Sequence, residues 1–308
     1  MTTTLQIIMS RKSGCIEPKY SKSSMSLLTL ILDKKMCEWS YKIVDHFNGN
    51  RELVQIAQNY LDRFVQKFHF DCSSFKLAAI TCLYLAIKIH NHKPISCESL
   101  TYLSNGEFTA QDITETEDLI LKTLDWNLHP PTASWFCTSF HCSLPPSFIL
   151  GKPSVCQLIL ERSCFFSELS VMEHSFSSFY PSEVAFAAIL NTLEGLRASL
   201  MSNDTKREFV RNIEEHTGLS CSSERIKMMK DRLWALYLHS RQFDVNDDCS
   251  AKKSMRLISS STGYPSTGQQ IHISQKKIYS TEDTVVVGPP ISAICCNSSR
   301  LCVKVANE

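Results

Sequence analysis

The chain has almost no net charge. Its 32 Lys and Arg stand against 31 Asp and Glu, leaving +1 over 308 residues. So balanced a body is not drawn as a whole to nucleic acid or to an anionic membrane, which leaves only local patches for such work. It also lacks a long apolar run. The longest, from Leu77 to Ile87, is 11 residues, against the roughly 20 that a membrane-spanning helix needs. The first 24 residues are polar, without the apolar centre of a signal peptide. A soluble, intracellular protein with no membrane partner is therefore expected. None of the 14 cysteines forms a Cys-x-x-Cys pair. Cys37, Cys72, Cys82, Cys137, Cys156 and Cys164 stand singly in apolar segments and read as small core hydrophobes. Disulfides are not expected. Neither is zinc near Cys295, Cys296 and Cys302, which have no histidines at ligand spacing. There is no Gly-rich phosphate loop, metal-ligand set or nucleophile constellation. The expectation is a protein that is not an enzyme and uses no cofactor and no metal. No Ser-Pro or Thr-Pro dipeptide occurs, so the chain is a poor substrate for proline-directed kinases.

What the sequence does have is helical period, almost without interruption from residue 25 to about 240, and no run alternating with the period of a strand. Five helices fit the first half: Met25–Phe47, Arg51–Lys67, Ser74–Ile89, Cys97–Leu103 and Thr109–Leu128. The second shows an unbroken apolar stripe through Leu53, Ile56, Ala57, Tyr60, Leu61, Phe64, Val65 and Phe68. The third is uncharged on every side between Leu77 and Ile87, so other helices must enclose it. Pro130-Pro131 stops the fifth helix and is the candidate domain boundary.

The second half repeats the plan, with helices over Thr132–Cys142, Pro153–Val171, Pro181–Ser199, Asp204–Thr217 and Ser222–His239. The run from Val184 to Leu190 is apolar all round, like its counterpart in the first half. The expected architecture is all-α: two tandem five-helix domains over 25–130 and 131–243. The arm 1–24 and the tail 244–308, rich in Ser, Thr and Lys, lack such periodicity and are expected to be disordered.

Two charged residues stand out on physical grounds. Lys88 ends the otherwise uncharged third helix. Glu117 lies on an apolar face in register with Ile113, Ile120, Leu121 and Leu124, where a carboxylate is costly unless paired. One reading is structural: Lys88 caps a helix C-terminus favourably and the two form an internal salt bridge. The other is a binding site awaiting a partner.

Several fragments, in order, resemble the cyclin family. Met36-Cys37-Glu38-Trp39 is similar to the motif of the first cyclin-box helix, and Tyr60-Leu61-Asp62-Arg63-Phe64 to that of the second. Leu77-Ala78-Ala79 with Leu85-Ala86-Ile87-Lys88 resembles the third helix. Glu117, Leu121, Leu124 and Trp126-Asn127-Leu128 resemble the fifth. Pro130-Pro131-Thr132 with Phe136, Glu168-Leu169-Ser170, and Tyr180-Pro181-Ser182 with Ala185, Ala187 and Ala188 resemble the second box. The likeness covers residues 25–240. It implies two tandem cyclin boxes and a regulatory subunit that binds and activates a cyclin-dependent serine/threonine kinase, the expected partners being that kinase and its substrates or inhibitors, with the nucleus as the favoured location.

The resemblance also assigns residues. Lys88 and Glu117 match the family's kinase-binding pair, which fixes the kinase helix carrying the active-site Glu so that the Lys–Glu ion pair of phosphoryl transfer can form. Asp62 and Arg63 belong to the structural motif of the second helix. Leu32, Met36 and Trp39 match a substrate-docking patch, although packing of the first helix explains them too. In that patch Lys42 replaces an acidic residue and Lys76 a Gln, and both are expected to repel a basic docking motif. The family's Asp62 pairs with an Arg on the first helix; here that position is Asp33, so two carboxylates are expected to face each other and repel. Lys34 or Lys35 turning inward, or a shifted first helix, are the expected compensations. Arg197-Ala198-Ser199-Leu200 fits a destruction-box pattern but falls inside an expected helix, and His90 and His92 read as solvated loop residues. The competing assignment is a cyclin-fold transcription adaptor, similar to transcription factor IIB, or a transcriptional cyclin. It would need a basic face for phosphate contacts.

Overall fold

The structure is a computed structural model that describes residues 27–91, 95–242 and 304–305. The first box comprises α1 (Leu27–His46), α2 (Glu52–Val65), α3 (Cys72–His90), α4 (Cys97–Leu103) and α5 (Ala110–Thr123). The second comprises α6 (Ala133–His141), α7 (Pro146–Gly151), α8 (Pro153–Val171), a 3-10 turn (His174–Ser178), α9 (Pro181–Gly195), α10 (Asn203–Thr217) and α11 (Glu224–Gln242). Phe68–His69 (β1) pairs antiparallel with Lys304–Val305 (β2), so two residues of the expected disordered tail are placed in a short bridge. The arm and the rest of the tail lie outside the described residues.

Each box wraps its most apolar helix. α3 packs on α2, α5, α1 and α4, and α9 packs on α8, α11 and α6. α3 is long and apolar enough to cross a membrane by composition alone, but 72% of its apolar window is buried inside the box. Two separate cores result, one built around Ile80, Leu83 and Ala86, the other around Phe186, Ala187 and Ala188.

The helix starts follow local chemistry. α3 begins where the Asp71 side chain accepts a hydrogen bond from the Ser74 amide at 2.8 Å. The cap is thus Asp71, and α3 opens two residues before the expected Ser74, because a carboxylate suits the positive end of a helix. α5 opens with a reciprocal cap: the Thr109 hydroxyl oxygen accepts from the Asp112 amide, and the Asp112 carboxylate accepts from the Thr109 amide. Since α5 carries Glu117, this cap bears on the site. Thr109→Ala is expected to cost about 1 kcal/mol, read in chemical denaturation. A loss below about 0.3 kcal/mol would mean that packing alone holds the helix start.

Two helices end earlier than the periodicity predicts. α5 stops at Thr123 rather than Leu128, because Asp125 (φ 50°) and Trp126 (φ 56°) are both left-handed. The carbonyls released there have partners elsewhere. Arg63 donates to Leu124 and Asn127, and the Tyr60 hydroxyl donates to Leu128. α9 stops at Gly195, a residue that readily leaves a helix. Arg197-Ala198-Ser199 is therefore exposed in a turn rather than hidden in a helix, which corrects the expectation for that segment.

Candidate functional site

Lys88 sits in the last turn of α3, where the buried helix reaches the surface. Its side chain is 50% exposed, while Glu117, on the inner face of α5, is 9% exposed. The Lys88 Nζ donates to Glu117 Oε1 at 2.8 Å. That hydrogen bond pushes the Lys88 pKa up, outweighing the opposing effect of its slight burial. The Tyr84 ring lies one turn back, 5.5 Å from the ammonium. The structure thus brings the two predicted residues together, with the cation reaching solvent and the carboxylate behind it. The internal pair of the structural reading is present. A half-exposed pair of this kind is worth at most about 1 kcal/mol, little return for holding a carboxylate on an apolar face.

The Tyr60-Leu61-Asp62-Arg63-Phe64 segment of α2 faces several ways at once. Leu61 and Phe64 are core. Tyr60 and Arg63 hold the exit of α5, and His90 joins them: its Nε2 lies 3.0 Å from the Tyr60 hydroxyl and 2.8 Å from the Leu128 carbonyl. His90 is therefore a structural partner at the end of α3, not a solvated loop residue; His92 lies outside the described residues. Asp62 turns toward α1, where Gln58 Nε2 donates to Asp62 at 3.0 Å and to Asp33 at 2.9 Å.

A family model described as the cyclin N-terminal domain matches residues 6–129, and one described as the cyclin C-terminal domain matches residues 131–261. The chain belongs to the cyclin family. It is 24% identical over 213 residues to the G1/S-specific cyclin-D2 of Mus musculus, covering 68% of this chain and 70% of that one. It is 28% identical over 177 residues to the G2/mitotic-specific cyclin-2 of Medicago sativa, covering 57% of this chain and 51% of that one. Against Cyclin-A1-2 of Arabidopsis thaliana the match spans only 38% of the relative, so this cyclin spans about half the length, or less, of such relatives. Among solved structures it resembles a viral cyclin from herpesvirus saimiri, with a TM-score of 0.62 and 17% identity over 76% of this chain and 97% of that one. At that identity the likeness speaks for the fold.

With the cyclin boxes in place, the remaining sequence assignments can be located. Leu32 and Met36 are 2% exposed and Trp39 9%, all within the first core. Their side chains pack α1 inward, and the exposed groove expected of them is not formed by these three. Lys76 does not meet an incoming motif either. It is buried, with its Nζ 2.9 Å from Glu107 Oε1, which corrects the expected repulsion there. Lys42 remains exposed.

The carboxylate pair Asp33 and Asp62 is real, but its compensation differs from expectation. Lys34 and Lys35 stay exposed. The Gln58 amide bridges the pair, and His174 Nδ1 from the second box lies 3.7 Å from Asp33 Oδ2. Gln58 had a sequence signal, its i, i+4 spacing to Asp62. His174 had none, because its approach depends on how the boxes dock. The docking interface also holds Gln55, which donates to Ser134 Oγ at 2.6 Å and accepts from the Ser134 amide at 3.1 Å. Arg51 Nε lies 3.0 Å from Glu168 Oε2 and its guanidinium stacks over Tyr41. Burial pushes the Glu168 pKa up to about 7, although Arg51 opposes it.

Proposed function

We propose that this cyclin is a regulatory subunit that binds and activates a cyclin-dependent serine/threonine kinase, supplying binding energy and no chemistry of its own. One observation carries the reading: a buried Glu117 paired with a half-exposed Lys88 at the surface end of the central helix. The two groups present a donor and an acceptor side by side, fitted to peptide groups of a partner's backbone. Lys88 has three ammonium hydrogens and spends one on Glu117. A kinase that is inactive alone would be shifted toward the arrangement this surface binds, by no more than the difference in affinity between its two states. Location in the nucleus belongs to the same proposal, as do further contacts with kinase substrates or inhibitors.

The test is affinity capture with the full chain from cells, followed by a phosphorylation assay on the recovered complex. Recovery of a kinase that phosphorylates its substrate only with this cyclin present is the expected result. Reproducible capture of no kinase, or of one equally active without the cyclin, would overturn the proposal.

A further inference from the structure

We propose that Asp33, Asp62 and His174, bridged by Gln58, form a proton-operated latch that holds the second box against the first and loosens as the pH rises. The latch does not depend on the kinase reading, since its residues lie away from Lys88 and Glu117 on α1, α2 and the 3-10 turn.

Asp33 on α1 is buried at 5% exposure. One of its oxygens accepts from Gln58 and the other faces His174 at 3.7 Å. The same Gln58 amide nitrogen donates to Asp62, so one neutral amide spans two carboxylates. His174 belongs to the turn between α8 and α9, which places the contact across the box boundary. The three groups line a cleft of about 220 Å³ whose walls come from both boxes. Opening the cleft would let water reach the carboxylates.

Other ionisable groups face the same cleft. Arg63 is spent on the Leu124 and Asn127 carbonyls. Glu173 is paired with Arg232 of α11. The thiols of Cys37 on α1 and Cys82 on α3 are pushed upward by burial and stay protonated. His129 and Tyr180 stand in the cleft wall. No arginine or lysine on α1 turns in to neutralise the pair, because Lys34 and Lys35 are exposed.

Protons do that work instead. Burial, then the neighbouring Asp33, pushes Asp62 up to about 7. The contact with Asp33 pushes His174 up against the opposing effect of burial. Both groups hold protons more tightly in the folded chain than in the unfolded one. The folded state therefore binds more protons, and its stability falls as pH rises. For His174 the contribution is complete below its unfolded value of roughly 6.5 and is lost as pH climbs through its raised folded value. For Asp62 the loss begins above the unfolded value of roughly 4 and is complete above about 7. Loss of the His174 proton removes the positive charge facing Asp33, loss of the Asp62 proton adds a negative one beside it, and the contact between the boxes weakens.

The experiment follows thermal unfolding of the full chain from pH 5.5 to 8.5. Because Glu168 titrates in the same range, all variants carry Glu168→Gln, which removes that source of slope. In this background the parent should lose about 5 °C across the range, and adding Asp62→Asn should remove about half of that loss, leaving the share of His174. Asparagine still accepts from Gln58, so the fold is kept. His174→Gln gives a second measurement: it should lower the melting temperature at pH 5.5 and leave pH 8.5 nearly unchanged. Hydrogen exchange reads the same event locally, with amides of residues 172–178 exchanging about tenfold faster at pH 8 after correction for intrinsic rates. Parallel melting curves with and without Asp62→Asn, or an equal loss from His174→Gln at both pH values, would overturn the latch.

Discussion

Replacing Glu117 by alanine is expected to weaken kinase association tens- to thousands-fold while leaving the free cyclin folded and nearly as stable as before. The two halves of this result have different sources. In the free chain Glu117 meets Lys88 at 2.8 Å, but Lys88 is 50% exposed. Water screens the pair, and its loss should cost no more than about 1 kcal/mol. In the proposed complex the partner would cover Lys88 and desolvate both groups. Removing one member of such a contact strands the other and costs about 2–5 kcal/mol. Lys88→Ala should behave alike. The exchange Lys88→Glu with Glu117→Lys separates the two roles further. It can restore an internal ion pair, but it places the donor and acceptor the wrong way round for the partner. Restored stability without restored binding is the expected outcome. A variant with full affinity and a lowered melting temperature would leave Lys88 and Glu117 as structural residues only.

How far the sequence reaches into this structure depends on the physical range of each signal. α4 and α8 fall on the expected residues, because the Ser96 side chain caps the one, Pro153 opens the other, and their apolar spacing is local. α3 and α9 were recognisable as central helices because each carries an apolar run with no charged side, which only enclosure can satisfy. The ends of α5 and α9 were misplaced for the same kind of reason. At α5 the competing hydrogen bonds come from Tyr60 and Arg63, more than 60 residues away in sequence. α7 and the 3-10 turn escaped notice because segments of six and five residues hold less than two turns of period.

The site divides along the same line. Lys88 and Glu117 were conspicuous as charges placed where apolar residues belong, and the structure brings them within hydrogen-bonding distance. The repulsion of Asp33 and Asp62 could be anticipated from the family resemblance, which pairs Asp62 with an Arg at the position Asp33 occupies here. Its resolution by Gln58 and His174 could not, since His174 arrives only when the second box docks. Lys76 was misread for a related reason. The resemblance placed it in a docking patch, but Glu107 in the loop between α4 and α5 covers it.

That last pair carries the second large expected effect. Lys76 is 1% exposed along its side chain, and Glu107, which faces it at 2.9 Å, is 21% exposed. The two contributions are unequal, because the ammonium is the group removed from water. Glu107→Ala withdraws the facing carboxylate from a buried cation and should cost about 3 kcal/mol, the lower end for breaking a buried pair. For a chain of this size that is a fall in melting temperature of roughly 6–12 °C. Lys76→Met should behave very differently. It removes the buried charge, keeps most of the side-chain volume, and leaves a carboxylate that is 21% exposed but must swing its buried Oε2 outward to reach water, so its cost should be about 1 kcal/mol. The double variant Lys76→Met with Glu107→Ala should then be more stable than Glu107→Ala alone, an inversion that simple loss of contacts cannot produce. Chemical denaturation of the four proteins completes the cycle. Equal costs for the two single variants, with the double variant at their sum, would show that Lys76 draws its compensation from elsewhere in the box.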